Sequence, residues 1–323
     1  MKPILIVVLK RLGVGILTLL IISAVIFIGV EALPGDLAQA VLGQQATPEA
    51  VAAIRKELGL DRPSSVRYFE WLGNAMRFDF GNSLTNKRPI SDLIGWRFKN
   101  TLFLALSAAA ISIPTSLILA IISALYRDTP LDRFISIGSL SAISLPEFFV
   151  AYLLIYLFSV KVSIFPSIVA LNQDMTIWDK IYNIMLPCLT LTFLITAYMM
   201  RMTRAAIISV LASGYIEMAK LKGIRYSRII LIHALPNVFS PIINVIVICL
   251  AYLVVGVVVV EVVFVYPGLG QLLVDSVAKR DIPVVQACVL IFSCTYILLN
   301  LSADILSLIS NPRLLHPKGG RAE

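Results

Sequence analysis

Six stretches of this chain are long and apolar enough to cross a bilayer: residues 12–30, 101–124, 134–160, 184–200 with a helical continuation, 241–260 and 284–309. About 20 apolar residues in a helix span the hydrocarbon core. Every backbone polar group there must be satisfied within the protein, so such stretches fold as helices. Charged residues make up 14% of the chain and hydrophobic residues 59%, against roughly 25% charged in a soluble domain. The longest polar stretch, residues 33–100, reads as a loop, so no soluble domain is left over. The expected fold class is an all-α polytopic membrane protein with six transmembrane helices. Lys2, Lys10 and Arg11 precede the first span as they would in a signal peptide. Its apolar run exceeds the roughly 7–15 residues of a signal core and no A-x-A-like site follows, so it is expected to be retained.

Orientation follows from Lys and Arg in the short loops, which favour the cytoplasmic side. With the N-terminus inside, the inner segments carry Lys2, Lys10, Arg11, Arg127, Arg133, Arg201, Arg204, Lys220, Lys222, Arg225, Arg228, Arg313, Lys318 and Arg321. The short outer loops carry only Lys161, Lys180, Lys279 and Arg280. Both termini are expected inside. The net charge of +8 is this bias; nucleic-acid binding would need a basic soluble face. Cys188, Cys249, Cys288 and Cys294 lie in apolar stretches without a C-x-x-C pair, which argues against disulfides and thiolate metal sites. The only histidines are His233 and His316, and no catalytic triad or metal-spaced set appears. No metal and no cofactor are expected in this chain. A G-x-x-x-x-G-K-[ST] phosphate loop is also missing, so any ATP that drives the protein acts through another subunit. Asp79, Phe80 and Gly81 spell a kinase tripeptide without its companions and are read as chance.

The chain organises as residues 1–100, the first span and a long extracytoplasmic helical loop; 101–310, a five-span core with a cytoplasmic loop at about 201–237; and 311–323, a short tail. In the outer loop, Thr47 and Pro48 start a helix that Gly59 stops, a second amphipathic stretch runs over 64–76, and a third begins at Ile90. Pro114, Pro146 and Pro187 are expected to interrupt helices. Glu147 either faces the bundle interior or a water-filled path, or snorkels at the membrane edge. Asn300 and Asp304 share a face of the last span and suit interhelical hydrogen bonding better than the alternative, a substrate role. Glu261 closes the valine run 257–260, and a sharp turn follows over Pro267, Gly268 and Gly270. This carboxylate and turn are a candidate outer gate or docking element, or a helix-end anchor.

Between the fourth and fifth apolar stretches lies a basic segment, residues 215–237, reading as two short helices broken at Gly223. Glu217, Ala219 and Lys220 sit on the first; residues 227–235 form the second, which Pro236 closes. Glu217, Ala219, Gly223, Leu235 and Pro236 resemble the cytoplasmic EAA loop of ABC importer permeases, with Met218 in place of the first Ala of that pattern. The resemblance extends along nearly the whole chain to the dipeptide/oligopeptide-type permeases. It is carried by Leu33, Pro34, Gly35 and Asp36; by residues 58–63; by Asp79 to Ser83; by Val260, Glu261, Phe264 and the 267–270 turn; by Arg280, Asp281, Pro283 and Gln286; and by Asn311, Pro312 and Arg313. It implies a type I importer fold in a bacterial inner membrane. The implied assembly has a homologous second permease, two cytoplasmic ATPases that bind ATP and magnesium, and an external substrate-binding protein. Peptides are the implied cargo, with nickel complexes, glutathione, opines or sugars as alternatives within the family. A secondary transporter is the competing class, disfavoured because inverted repeats are not evident.

Overall fold

Helices form where the apolar stretches predict them. A computed structural model describes residues 2–32, 47–57, 59–172 and 174–310. Leu33 to Asp36, Leu58 and the tail from Asn311, including His316, therefore lie outside the described residues, as do the side chains of His233, Pro236 and Asp304. In chain order the helices are α1 (Lys2–Glu31), α2 (Pro48–Glu57), α3 (Ser64–Met76), α4 (Ile90–Leu125), α5 (Pro130–Ser144), α6 (Glu147–Leu154), α7 (Ile177–Asn183), α8 (Met185–Leu211), α9 (Gly214–Leu221), α10 (Leu235–Val263), α11 (Leu269–Ala278) and α12 (Ile282–Ser310). Wider π-helical turns extend α6 over Ile155–Lys161 and precede α10 over Ile229–Ala234.

Five helices are continuous, long and apolar enough to cross a membrane: Val8–Glu31, Ile90–Leu125, Met185–Leu211, Asn237–Val254 and Ile282–Ala303. The sixth crossing is a broken one. The sequence marks one span over 134–160 with an interruption expected at Pro146, and there Pro130–Ser144 and Glu147–Lys161 meet at 103°. Proline disfavours helical backbone in the residue before it. Leu145 is accordingly extended, at φ −87° and ψ 134°.

The other prolines behave differently from expectation. Pro114 sits inside an unbroken α4, where the hydroxyls of Thr115 and Ser116 donate to the carbonyls of Ile111 and Ile113. Pro187 occupies the first turn of α8, where its missing N–H would have had no helical partner. Pro236 opens α10 instead of closing the preceding segment, for the same reason.

The chain divides into two compact units. The first is built on Leu102–Tyr266, with the described parts of Met1–Gly13 and Tyr296–Glu323. Lipid removes the hydrophobic drive between helices, so close approach depends on small residues. Within this unit α4 buries Ala105, Ala108, Ala109, Ser112, Ser116, Ala120, Ser123 and Ala124, spaced along one helical face. Its large side chains Leu106, Ile111 and Ile118 are exposed. Small inside and large outside is the arrangement a lipid-facing helix requires. Met199 of α8 packs with Val245 and Cys249 of α10, which joins the two main helices of this unit.

The second unit is Pro267–Thr295 with the described part of Val14–Thr101. Here the Phe27 ring of α1 stands 5.5 Å from Tyr68 and 6.3 Å from Trp71 of α3, and Ser23 and Tyr68 share a hydrogen bond of 2.8 Å. Ile90 and Ile94 pack with Leu269, Leu272, Val284, Ala287 and Cys288. The Arg62–Glu70 ion pair at 2.9 Å is more than half exposed on both sides and contributes at most about 1 kcal/mol.

Candidate functional site

The basic segment between α8 and α10 folds back onto its own unit. α9 buries Ile216 and Ala219 against Met200, Ile207 and Leu211 of α8 and against Ile229, Ile230 and Ala234. The helix ends in a Schellman motif. The Gly223 N–H donates to the Lys220 carbonyl at 2.9 Å and the Ile224 N–H to the Ala219 carbonyl at 3.3 Å, with Gly223 at φ +73°. Glycine reaches this left-handed region without strain, so it ends the helix and turns the chain. The opposite face of α9 is free. Tyr215, Met218 and Leu221 lie at i, i+3 and i+6 and are 48%, 57% and 77% exposed, flanked by exposed Glu217, Lys220 and Lys222. A helix seated on one side and apolar on the other is built to be covered.

Behind this surface lies a polar network that the sequence reading missed. Arg204 of α8 donates through Nε to Asp132 Oδ1 at 3.0 Å and through its second nitrogen to Oδ2 at 2.7 Å. The Asp132 carboxylate also accepts from the Asp128 N–H at 3.0 Å and from the Ser123 hydroxyl. Arg204 donates to Ser123 Oγ at 2.8 Å. The local signal was present: Thr129 caps α5 by accepting from the Asp132 N–H, a Thr-Pro-x-Asp helix start. Its long-range partner Arg204 carries no local signal beyond a charge on the expected inner side.

At the far end of α10, Glu261 is completely buried, as are Phe264 and Tyr266. The Tyr266 N–H donates to the Glu261 carbonyl at 2.8 Å, and the Val169 N–H to the Phe264 carbonyl at 3.0 Å. Burial pushes the Tyr266 phenol far above its ordinary range, with the Glu261 charge adding to the shift. Glu261 is thus an interior strut and presents no outer surface in this conformation.

The 267–270 turn belongs to the second unit and is pinned there by the start of α4. Asn100 donates to the Pro267 carbonyl at 2.9 Å, Arg97 to the Gly268 carbonyl at 3.4 Å, and the Leu269 N–H to Thr101 Oγ1 at 2.8 Å. In the same unit Asp281 is 3% exposed and accepts from the Leu84 and Thr85 N–H groups at 3.1 and 3.2 Å and from the Ser83 hydroxyl. Two motif segments almost 200 residues apart in sequence meet in that one cap. A cavity of about 680 Å³ in this unit is lined by Glu31, Arg62, Arg67, Trp71, Asn82 and Arg280 among others. Asn300 donates to the Tyr296 carbonyl of its own helix at 2.9 Å. Glu147 begins α6 beside Gly256 of α10.

The described residues hold no cluster of His, Cys, Asp and Glu suited to a metal ion. Fold and surface together define an all-α polytopic membrane protein with a helix seated on its own unit and an exposed apolar row on its other face. Comparison with known proteins gives the family. The chain belongs to the binding-protein-dependent transport system inner membrane components, whose family matches residues 116–316, and the N-terminal family of the same membrane components matches residues 4–105. The glutathione transport system permease protein GsiC of Escherichia coli (strain K12) is 38% identical over 307 residues, 95% of this chain and 98% of that protein. Its counterpart in Shigella dysenteriae serotype 1 (strain Sd197) gives the same figures, and that of Shigella flexneri serotype 5b (strain 8401) is 37% identical over the same length. The chain is therefore an ABC importer permease of the peptide type, a multi-pass inner-membrane component. Components of this family are not themselves enzymes and work with other subunits.

Proposed function

We propose that this chain forms half of the translocation path of an ATP-driven importer of small peptides, glutathione among them. The partners are a second permease, two ATPases and an external binding protein. The observation that carries the coupling role is the free row Tyr215, Met218 and Leu221 on a helix whose other face is locked into the core. An apolar row with basic neighbours suits a helix-in-groove contact with an ATPase subunit. Ala219 packs the helix inward, Gly223 turns it, Leu235 and Pro236 start α10, and Glu217 faces the partner. Similarity to glutathione permeases along 95% of the chain supports the cargo class. The deciding experiment reconstitutes the complete complex in vesicles and follows ATP-dependent uptake of glutathione and of dipeptides. Uptake of neither removes the peptide reading.

Both termini and α9 are placed in the cytoplasm. Thr47 and Lys222, both exposed, are suitable labelling positions. A cysteine at Thr47 reacts with an impermeant maleimide from outside the cell, and one at Lys222 only after permeabilisation. The reverse pattern inverts the topology.

On this reading Glu261 is part of an outer gate that is closed in this conformation, and the 267–270 turn is by itself an outer gate or docking element. Glu261→Gln removes a buried charge while keeping its shape. Uptake is expected to fall about tenfold, equivalent to about 1.4 kcal/mol, with normal recovery of the assembled complex. Wild-type uptake at equal expression leaves Glu261 as an anchor of α10 only.

A further inference from the structure

The broken span places a carboxylate where a membrane protein seldom tolerates one. Pro146 is extended and α6 starts at Glu147, so the side chain stands at the break. It is half-buried. A Cβ at Gly256 of α10 would lie 3.1 Å from Glu147 Oε1 and 3.6 Å from Oε2, and its three nearest atoms all belong to this carboxylate. Gly256 is thus the space the carboxylate occupies. Among the described residues Glu147 has neither a hydrogen-bond nor an ion-pair partner for that carboxylate.

The surroundings decide what such a group faces. Glu147 and Gly256 belong to the same unit. Gly256 continues a stripe of α10 in which Ile248, Tyr252 and Val259 are 40%, 56% and 41% exposed. Facing lipid, an ionised group near the bilayer centre costs at least about 2.5–3.5 kcal/mol. Facing a water-filled path, it keeps its charge and can receive a cation. The ring of Tyr252, one turn from Gly256, lies 5.7 Å from that of Tyr198 between centroids, tilted by 58°, and tyrosine faces attract cations. An inorganic divalent ion would need six or more oxygen ligands, which one carboxylate beside a glycine cannot supply. An ammonium group needs only an acceptor and a negative charge.

We propose that the Glu147 carboxylate, seated on Gly256 at the break between α5 and α6, receives the ammonium group of the peptide cargo and thereby selects for it during passage. This inference rests on the peptide-import reading above. Glu147 is then a specificity-determining residue of the path, and Gly256 sets its position. Gly256→Ala pushes the carboxylate out of place and acts in the same direction as its removal.

The test uses the reconstituted complete complex and two cargoes, glutathione and N-acetylglutathione. Maximal uptake rates are compared with the binding protein saturated by each cargo, which takes its own preference out of the comparison. Glu147→Gln is expected to lower glutathione uptake about tenfold, equivalent to about 1.4 kcal/mol, while N-acetylglutathione uptake and ATPase activity stay at the level of the unaltered complex. Glu147→Asp keeps the charge and retains most of the glutathione rate. Equal loss for both cargoes, or loss for neither, overturns the assignment and leaves the peptide reading standing. Uptake of neither cargo by the unaltered complex overturns that reading and this inference with it.

Discussion

Gly223→Val is expected to abolish substrate uptake while leaving membrane insertion and the amount of protein unchanged. Position 223 has φ +73° and no heavy atom within 4 Å of where a Cβ would stand. The substitution meets no steric obstacle, and its whole cost is backbone strain. A non-glycine residue held in the left-handed region costs about 1–3 kcal/mol, and a β-branched residue is an outlier there. The chain relieves that strain by leaving the Schellman geometry, which releases the Gly223 and Ile224 hydrogen bonds to Lys220 and Ala219. The last turn of α9 then frays and Leu221, the most exposed member of the free row, loses its place. Uptake, ATPase stimulation and co-purification of the ATPase subunits are measured together in the reconstituted complex. Gly223→Asn provides the control, because asparagine adopts the left-handed region more readily than valine and is expected to restore most of the activity. Undiminished uptake by Gly223→Val refutes the coupling role; equal failure of the Asn variant shows that something other than backbone conformation is at stake.

What the sequence revealed and what it concealed separate along one physical line. Span existence is a property of hydropathy averaged over about 20 residues, so five continuous helices and one broken one could be located from composition alone. Gly223 was legible because a glycine between two short helical patterns has one main structural use. Prolines were less informative. Pro114, Pro146 and Pro187 look alike in sequence, yet only Pro146 breaks a span. The difference lies in position: Pro187 is in a first turn, and α4 continues through Pro114. Pro236 reads as a terminator in the sequence yet opens α10, since a first-turn proline and a terminating proline both follow an apolar residue. Contacts between distant residues were the least legible. Arg204 and Asp132 are 72 residues apart, and Gly256 sits in a valine-rich run where nothing marks it as the neighbour of Glu147. Glu261 is legible as a carboxylate in an apolar context, but its complete burial, shared with Phe264 and Tyr266, is a property of the packed end of α10 and not of the local sequence.

The second large effect is expected at the network of Asp132, Arg204 and Ser123. Asp132 is 4% exposed and its partner Arg204 has a quarter of its side chain exposed, so neither charge can be fully rehydrated where it stands. Removing one member of such a pair leaves an uncompensated charge and costs about 3–5 kcal/mol. Asp132→Ala also withdraws the acceptor used by Ser123 and by the Asp128 N–H, so the end of α4 and the start of α5 lose their common tie to α8. A marked fall in the thermal unfolding midpoint of the purified protein is therefore expected, and with it loss of uptake, because α8 leads directly into α9. The double variant Asp132→Leu/Arg204→Met separates charge from packing. Well-packed apolar replacements of a buried pair are often neutral or stabilising, so the double variant should recover most of the midpoint lost by Asp132→Ala. Recovery of stability without recovery of uptake would give the ion pair a part in transmitting motion from α9. A negligible shift in Asp132→Ala, comparable to that of an exposed pair such as Arg62–Glu70, would show that water reaches the network and that its hydrogen bonds do not hold the three helices together.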